Sequence, residues 1–341
     1  MHPLLLNFNG WMCDCGLSPN TRTMRKIPCT LAVAWLFIAC TLANPLSTHL
    51  ASIENTNLFG VDMFREADIK PRLQFMQSPI TPFFDDDVKA YLQGYFLYGI
   101  KETQEMLGRA ATYSPIIEHY LEASGLPVQF KYLPMIESGY VPYAVSTNGA
   151  AGLWQIVPAT ATYLGLSIDE YLDERKDPCK SSEAAVKYLK HLYEKFGTWE
   201  LALVAYNCGP TRLNRAIRTY GSKDFNKIKA GLPKETQRYL ARFLAACYAG
   251  TYHQLHGLSP APPDAVRADA MAARVHKAIS LQQVALATGV DLCIIRTLNP
   301  AFKSNFLPMK PGGIFLTLPR SAWDRYLRSQ QNEQPLLAAV P

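Results

Sequence analysis

The chain has 341 residues, of which 48% are hydrophobic and 18% are charged, and its formal net charge is +6. This balance excludes an intrinsically disordered chain and indicates a globular protein of about two domains. The mild positive charge is compatible with an acidic polymer or a membrane surface and selects neither of them.

The N-terminal region has the pattern of an export signal. Residues 24–26 (Met-Arg-Lys) form a basic start, residues 29–42 are apolar, and small residues follow at the cleavage spacing. The apolar stretch is too short to predict a transmembrane helix. Cys40 lies in a weak lipoprotein-like box, so a lipid anchor at Cys40 and a plain secretory signal both stay open. With Met24 as the start of translation, either signal predicts export to the periplasm or cell envelope.

The next region predicts helices without a recognisable motif. Apolar residues recur at helical spacing over residues 88–107, which predicts one amphipathic helix leading into the main domain. Ser114 followed by Pro115 predicts the start of a new helix, because Ser caps helix N-termini and Pro suits the first helical position.

A short apolar helix is expected to present a single carboxylate. Pro127 predicts its start, Pro134 predicts a kink within it, and Gly139 predicts its end. Glu137 then falls in the last turn. This position allows the carboxylate to project from a rigid element into a cleft.

Short helices and loops are predicted to follow, which indicates a mainly α domain. Residues 169–178 contain five carboxylates and are expected to form a solvated surface loop. Helices are predicted over residues 158–163, from a Ser182 cap to Gly197, from a Thr198 cap to about residue 207, and over residues 234–248.

Composition changes after a proline-rich linker at residues 259–264. A strand is predicted at residues 273–277, a helix capped by Ser280, a second helix, and a strand over residues 314–319. This βααβ order resembles the LysM module, which binds glycans containing N-acetylglucosamine. Residues 278–281 (Ala-Ile-Ser-Leu) replace the usual Gly-Asp-Thr-Leu, which leaves glycan binding open.

Cysteines and histidines show no spacing typical of a metal site. The four cysteines well inside the chain lack a C-x-x-C pattern, and the histidines are scattered. We therefore predict no metal, no cofactor and free thiols. These residues are Cys179, Cys208, Cys247, Cys293, His119, His191 and His253.

The flanks of Glu137 favour general acid catalysis. A carboxyl in apolar surroundings can stay protonated near neutral pH and protonate a leaving group. Glycosidases, which cleave the bond between two sugars, ordinarily need a second carboxylate on the other side of that glycosidic bond. The side chains Gln155, Tyr206 and Asn207 of the neighbouring motifs are neutral, which favours a site where the substrate supplies its own nucleophile.

Four motifs occur in order: residues 137–140 (Glu-Ser-Gly-Tyr), 152–155 (Gly-Leu-Trp-Gln), 205–207 (Ala-Tyr-Asn) and 232–239 (Leu-Pro-Lys-Glu-Thr-Gln-Arg-Tyr). Together they resemble the lytic transglycosylases, whose SLT domain has a lysozyme-like fold. With the LysM-like module, the chain is most similar to the membrane-bound D type of that family. The resemblance implies cleavage of the β-1,4 bond between MurNAc and GlcNAc, with formation of 1,6-anhydro-MurNAc ends.

The resemblance also implies roles for individual residues. Glu137 would serve as both acid and base. Trp154 is expected in the core or the cleft wall, and Cys208 departs from the usual Ala or Gly. The residues expected to bind substrate are Ser146, Gln155, Tyr206, Asn207 and Tyr239.

Two other functions remain open: a hydrolysing muramidase of the same fold, and a non-catalytic cell-wall glycan-binding protein. The expected partner is the peptidoglycan glycan strand, and no nucleic-acid partner is expected. The chain is expected to associate with a membrane through Cys40 and to be a monomer. Because all four motifs precede the linker, the module is expected to serve retention on the cell wall and not the chemistry.

The overall prediction is a mainly α chain with a lysozyme-like domain and a small βααβ domain. Its predicted segments are a signal region (1–43), a helical extension (44–112), the catalytic domain (113–258), a linker (259–272), the LysM-like domain (273–320) and a tail (321–341).

Overall fold

A computed structural model describes residues 64–332 of the chain, and these residues are mainly helical. The signal region with Met24 and Cys40, and the start of the predicted extension, lie outside the described residues. Within the described residues, the first eleven α-helices are α1 (Glu66–Phe75), α2 (Asp86–Gln93), α3 (Ile100–Ala123), α4 (Leu133–Glu137), α5 (Pro158–Tyr163), α6 (Pro178–Phe196), α7 (Trp199–Cys208), α8 (Pro210–Tyr220), α9 (Phe225–Ile228), α10 (Lys234–Gln237) and α11 (Tyr239–Tyr252).

The prediction of one helix over residues 88–107 is wrong, because the helix is interrupted at Gly99. A π-turn, Gly94–Tyr98, follows α2, and α3 begins only at Ile100. A Cβ on Gly99 would lie 2.8 Å from the Gly94 carbonyl oxygen. Only glycine permits this close approach, which a search for helical periodicity does not detect.

The helix start predicted at Ser114 is also wrong, because α3 runs through Pro115 without interruption. Tyr113 and Ile117 on either side of the proline are both buried in the same core. Their packing offsets the backbone hydrogen bond that proline removes, since tertiary contacts provide most of a helix's stability.

Helices α1 and α2 belong to the same core as the domain predicted over residues 113–258. Ile69, Leu73, Val88 and Leu92 are buried and share one hydrophobic cluster with residues of α4, α6, α7 and α11. Burying each such side chain contributes about 1.5–3 kcal/mol. The predicted extension is therefore part of the same folding unit over its described residues.

The acidic segment at residues 169–178 is largely buried, which corrects the prediction of a solvated loop. Asp173, Glu174 and Asp177 are each at most 7% exposed. The Arg175 guanidinium pairs with the Asp173 carboxylate at 2.8 Å, and the Glu174 carboxylate accepts the Ser167 N–H at 2.7 Å. Buried carboxylates persist when they are paired and hydrogen-bonded in this way.

Helix α6 begins four residues before the predicted Ser182 cap. The Asp177 carboxylate caps it by accepting the N–H groups of Cys179 and Lys180, each at 2.8 Å. Ser182 lies inside the helix and is buried. The predicted end at Gly197, the Thr198 cap of α7 and the helix over residues 158–163 are confirmed.

The predicted helix over residues 234–248 is divided at Arg238 into α10 and α11. This division makes Tyr239 the first residue of the long, buried α11. Helices α8 and α9, which precede it, did not emerge from the sequence patterns.

The C-terminal module comprises residues 270–332 and confirms the βααβ prediction. Strands β1 and β4 pair antiparallel with Ala273 opposite Leu316, and β2 pairs with β3. The last helix, α15, lies in the predicted tail and packs Trp323 and Tyr326 on the module core. Its elements are β1 (Ala270–Val275), β2 (Ile279–Ser280), α13 (Leu281–Thr288), α14 (Leu292–Leu298), β3 (Phe306–Leu307), β4 (Ile314–Pro319) and α15 (Trp323–Asn332), preceded by α12 (Ala265–Ala268).

The predicted linker packs against helix α3. The Ala261 N–H donates to the Gln104 carbonyl oxygen at 2.8 Å. A Cβ on Gly108 would lie 2.4 Å from the Ala261 carbonyl oxygen, so glycine is required where the linker crosses the helix. These contacts fix the path of the chain toward the C-terminal module.

Within residues 64–332, the four cysteines are free thiols, and only Cys293 among them is exposed. No single helix in this range is long and apolar enough to cross a membrane. Helices α13 and α14 meet that requirement only as a pair, by length and composition, with a bend of 117° between them.

Gly152 provides a test of how tightly its own segment packs against the segment that contains Arg175. Its φ is +82°, and an added Cβ would lie 1.7 Å from the Arg175 carbonyl oxygen. We expect Gly152→Ala to lower the free energy of unfolding by more than about 4 kcal/mol, since backbone atoms would have to move. Urea denaturation followed by circular dichroism measures this loss.

Gly165→Ala is the matched control, because Gly165 has φ +74° and open space around its Cβ position. The left-handed backbone alone should cost about 1–2 kcal/mol there. Equal losses in the two variants would show that the contact with Arg175 is unimportant.

Candidate active site

Glu137 is the last residue of α4, as predicted, and follows four buried apolar residues. Pro134 lies in the first turn of this helix, where its missing N–H is harmless, and it does not kink a longer helix. Ser138 fixes the helix end, because its hydroxyl donates to the Leu153 carbonyl oxygen at 2.9 Å. The carboxylate therefore leaves a rigid, buried element and is itself partly buried.

The electrostatics around Glu137 favour its protonated form. Burial is the main cause of a raised pKa for its carboxyl group, and the charge of Glu235 raises this pKa further. A hydrogen bond from the Tyr239 hydroxyl to Glu137 Oε1 and the charge of Arg242 act in the opposite direction. The net effect is upward, which suits a group that must hold a proton and then release it.

The two partners of this hydrogen bond come from distant parts of the chain. Tyr239 is 1% exposed at the start of α11, and Glu137 ends α4. Burial and the nearby Glu137 charge raise the pKa of the Tyr239 hydroxyl well above its usual value. Tyr239 therefore stays neutral and acts as a hydrogen-bond donor over the working pH range.

Residues 144–156 form a compact segment beside Glu137, here called the Gln155 loop. Ala151 bridges to both Val145 and Ile156. The Ser146 hydroxyl accepts the Ala150 N–H at 3.0 Å and so closes one end of the loop. Ser146 thus stabilises its own loop, and its predicted contact with substrate stays a prediction.

Gln155 has a left-handed backbone with φ +47°, which is unusual for a residue other than glycine. Its side-chain amide donates to the Gly152 carbonyl oxygen at 3.0 Å. Such backbone strain is often found at functional sites. The loop therefore holds the predicted site residue Gln155 in a fixed and strained conformation.

Helix α7 brings Tyr206 and Asn207 to the same side of the domain. The Tyr206 hydroxyl donates to the Trp154 carbonyl oxygen at 2.8 Å, and the Glu137 charge contributes to the raised pKa of Tyr206. The Thr236 hydroxyl donates to Asn207 Oδ1 at 2.7 Å. This bond orients the Asn207 amide and ties α7 to α10.

Trp154 is a core residue, as the sequence suggested. Its side chain is fully buried, and its indole N–H donates to the Ser182 hydroxyl at 2.9 Å. Trp154 thereby anchors the Gln155 loop to helix α6.

Arg175 is the main residue of the site region that the sequence patterns missed. Its guanidinium donates to the Gly149 carbonyl oxygen at 2.7 Å and to the Ile156 carbonyl oxygen at 3.1 Å. Asp173 holds the same guanidinium through two further hydrogen bonds, at 2.9 and 2.8 Å. The only available signal was an arginine inside an acidic segment.

Glu235 and Arg242 were also missed, and both influence the charge state of Glu137. Glu235 is exposed in α10, and Arg242 is partly buried in α11. Both flank Tyr239 in sequence, so the motif that contains Tyr239 offered a signal for them.

Family comparisons recognise two parts of the chain. Residues 114–229 match the transglycosylase SLT domain. Residues 272–334 match the LysM-like domain of the lytic transglycosylase MltD. The first match contains Glu137, the Gln155 loop and helix α7, and the second coincides with the C-terminal module.

Curated relatives agree with these matches. Membrane-bound lytic murein transglycosylase D of Escherichia coli K12 is 30% identical over 228 residues, which cover 65% of this chain and 49% of that protein. A putative tributyltin chloride resistance protein of Alteromonas sp. strain M-1 is 34% identical over 131 residues, covering 37% of this chain and 63% of that protein. The chain thus spans about half the length of the first of these relatives.

Among solved structures, the 70 kDa soluble lytic transglycosylase of Escherichia coli aligns with a TM-score of 0.38 and 24% identity, over 53% of this chain and 29% of that one. The family and sequence matches are the stronger findings. The chain therefore carries a transglycosylase SLT domain and an MltD-type LysM-like domain, and it is homologous to membrane-bound lytic murein transglycosylase D.

Proposed function

We propose that this chain is an exported peptidoglycan lytic transglycosylase. It would cleave the β-1,4 bond between MurNAc and GlcNAc and leave 1,6-anhydro-MurNAc ends. The observation that supports this most is Glu137, a partly buried carboxyl with a raised pKa that accepts a hydrogen bond from Tyr239. The match to the transglycosylase SLT domain and the name of the Escherichia coli K12 relative, a lytic murein transglycosylase, support the same reaction.

In the first step, protonated Glu137 donates its proton to the glycosidic oxygen. The bond between that oxygen and C1 of MurNAc breaks, and GlcNAc leaves with a free hydroxyl. The positive charge that develops at C1 is stabilised by the N-acetyl group of the same sugar, so no protein nucleophile is required.

In the second step, the Glu137 carboxylate removes the proton from the C6 hydroxyl of MurNAc. The C6 oxygen bonds to C1, which closes the 1,6-anhydro ring and returns Glu137 to its protonated form. No water is consumed. Tyr206, Asn207 and Tyr239 would hold the sugar in the required geometry, and such positioning can contribute about 7–11 kcal/mol.

A hydrolysing muramidase is the second candidate, and Glu235 is the observation that favours it. The charge of Glu235 raises the pKa of Glu137, so a second carboxylate is electrostatically coupled to the site. A hydrolase would need a second carboxylate as base or nucleophile and would release ordinary reducing ends. The products distinguish the two reactions.

The cellular setting forms part of the same proposal. The basic and apolar segments around Met24 and Cys40 predict export, and the relative's name describes a membrane-bound protein. Lipid attachment at Cys40 would place the protein at the cell envelope as a monomer facing the glycan strands. The C-terminal module would add contact with the same polymer.

The first prediction concerns the acid. We expect Glu137→Gln to lose about 10²–10⁴-fold in kcat on purified sacculi, because the amide cannot transfer the proton.

Glu235→Gln should keep anhydro products and move the basic limb of the pH profile to lower pH, because it removes a charge that raises the pKa of Glu137. Mass spectrometry of released muropeptides measures both effects. Loss of reducing ends specifically in Glu235→Gln would favour the muramidase.

The second prediction concerns the tyrosine hydrogen bond. In Tyr239→Phe the carboxylate loses a donor that lowers its pKa, so this pKa rises further. The basic limb of kcat/KM, which reports loss of the acid, should move to higher pH, and the maximal rate should fall about tenfold. Tyr206→Phe is the matched control, because its hydroxyl donates to Trp154 and not to Glu137. The same alkaline movement in both variants would contradict the assignment.

The third prediction concerns water exclusion by Asn207. We expect Asn207→Ala to lower kcat about 10-fold to 100-fold and to raise the share of reducing ends, because a loosely held sugar admits water at C1. Thr236→Val should show the same change of products more weakly, since it removes the hydrogen bond to Asn207 Oδ1. An unchanged anhydro-to-reducing ratio in a thermally destabilised variant would assign Asn207 a role in folding alone.

A further inference from the structure

A turn of the catalytic domain, residues 169–173, inserts into the C-terminal module and is here called the docking turn. The Asp169 carboxylate closes it by accepting the N–H groups of Tyr171 and Leu172, each at 2.9 Å. Leu172 is 1% exposed, and it packs in the module core with Ile279 and Leu307. A leucine of the first domain thus completes the core of the second.

Backbone pairing reinforces this contact. Leu172 forms an antiparallel bridge with Phe302 of the module. The Asp173 N–H donates to the Ala301 carbonyl oxygen, and the Lys303 N–H donates to the Tyr171 carbonyl oxygen, both at 2.8 Å. The docking turn and the segment at residues 301–303 therefore form a short two-stranded ladder.

Two lysines of the module add charge to the same contact. The Lys303 ammonium donates to the Asp169 carbonyl oxygen at 2.6 Å. The Lys310 ammonium pairs with the Asp169 carboxylate. Both interactions hold the docking turn from the module side.

The docking turn also connects directly to the site. The backbone N–H of Asp173 binds the module, and its carboxylate binds the Arg175 guanidinium. That guanidinium holds the carbonyl oxygens of Gly149 and Ile156 in the Gln155 loop. Two residues thus link the module to the loop that contains Gln155.

A separate contact holds the module in place independently of the docking turn. The Arg267 guanidinium in α12 donates to the Tyr113 hydroxyl of α3 at 3.0 Å and to the Thr297 carbonyl oxygen of the module at 2.9 Å. Changes confined to the docking turn therefore leave this second attachment intact.

We propose that the C-terminal module is a structural support of the Gln155 loop, with Arg175 as the positioning residue between them. The module then contributes to catalysis through Arg175 and the loop, in addition to any role in binding glycan. This reverses the expectation that the chemistry is independent of the module. The inference rests on the proposed function only where it expects the Gln155 loop to bind substrate; the mechanical coupling stands on the contacts alone.

The first test alters the docking turn in the full chain. Leu172→Gln places an amide in the module core, whereas Leu172→Met keeps an apolar side chain of similar volume. Hydrogen–deuterium exchange should become at least about tenfold faster at residues 149–156 in Leu172→Gln, because opening of the loop becomes easier. Leu172→Met should exchange like the wild type.

The second test acts from the module side alone and serves if Leu172→Gln fails to fold. The double variant Lys303→Ala/Lys310→Ala removes both charged contacts to Asp169. Lys277→Ala/Arg328→Ala is the matched control, because it removes two exposed cations of the module elsewhere. Exchange at residues 149–156 should rise in the first double variant and stay unchanged in the control.

Activity on a short soluble glycan gives a further readout. We expect kcat of Lys303→Ala/Lys310→Ala to fall about 10-fold, with KM changed less than twofold and more reducing ends among the products, since a displaced loop mispositions the sugar. Faster exchange at residues 169–173 without any change at residues 149–156 would overturn the coupling. Faster exchange at both with unchanged activity would uphold the coupling and count against a role of the loop in positioning substrate.

Discussion

The buried guanidinium of Arg175 is the interaction that organises the site region. It joins the Gln155 loop to the docking turn, and its own charge is balanced by Asp173. A buried cation is costly unless its hydrogen bonds are satisfied, and here its donors are directed to carbonyl and carboxylate oxygens. The local geometry therefore tolerates few alternatives, which suits the role in substrate binding that is proposed for this loop.

The chemistry of the site depends on Glu137, which has few hydrogen-bond partners, whereas Arg175 has several. This carboxyl ends an apolar helix and receives a single side-chain hydrogen bond, from Tyr239, so its proton is held more firmly than in water. The neighbouring tyrosines remain neutral because burial raises their pKa values. One region of the domain thus holds a buried charge with several hydrogen bonds, and the adjacent region holds a carboxyl whose pKa is raised by burial.

Local sequence signals predicted the ends of helices better than they predicted the contacts that support the Gln155 loop. Glu137 at a helix end, Thr198 as a cap and the βααβ order follow from residues close in sequence, and the structure confirms them. The hydrogen bond between Tyr239 and Glu137 spans 102 residues, so only the ordered motifs could bring the two together. Burial of Asp173 depends on partners such as Ala301 that no local pattern identifies. Residues 169–178 were therefore predicted as a solvated loop, because carboxylates are usually exposed.

The ladder between the docking turn and residues 301–303 also bears on the order in which the protein folds during synthesis. Domains usually fold in order from the N-terminus as the chain emerges at about 5–20 residues per second. Ala301 follows Asp173 by more than one hundred residues, so on the order of ten seconds of translation separate the two halves of the ladder. Throughout that interval the first domain lacks its partner strand. In a nascent chain the docking turn and the Gln155 loop would thus be without this support until residues 301–303 have been made.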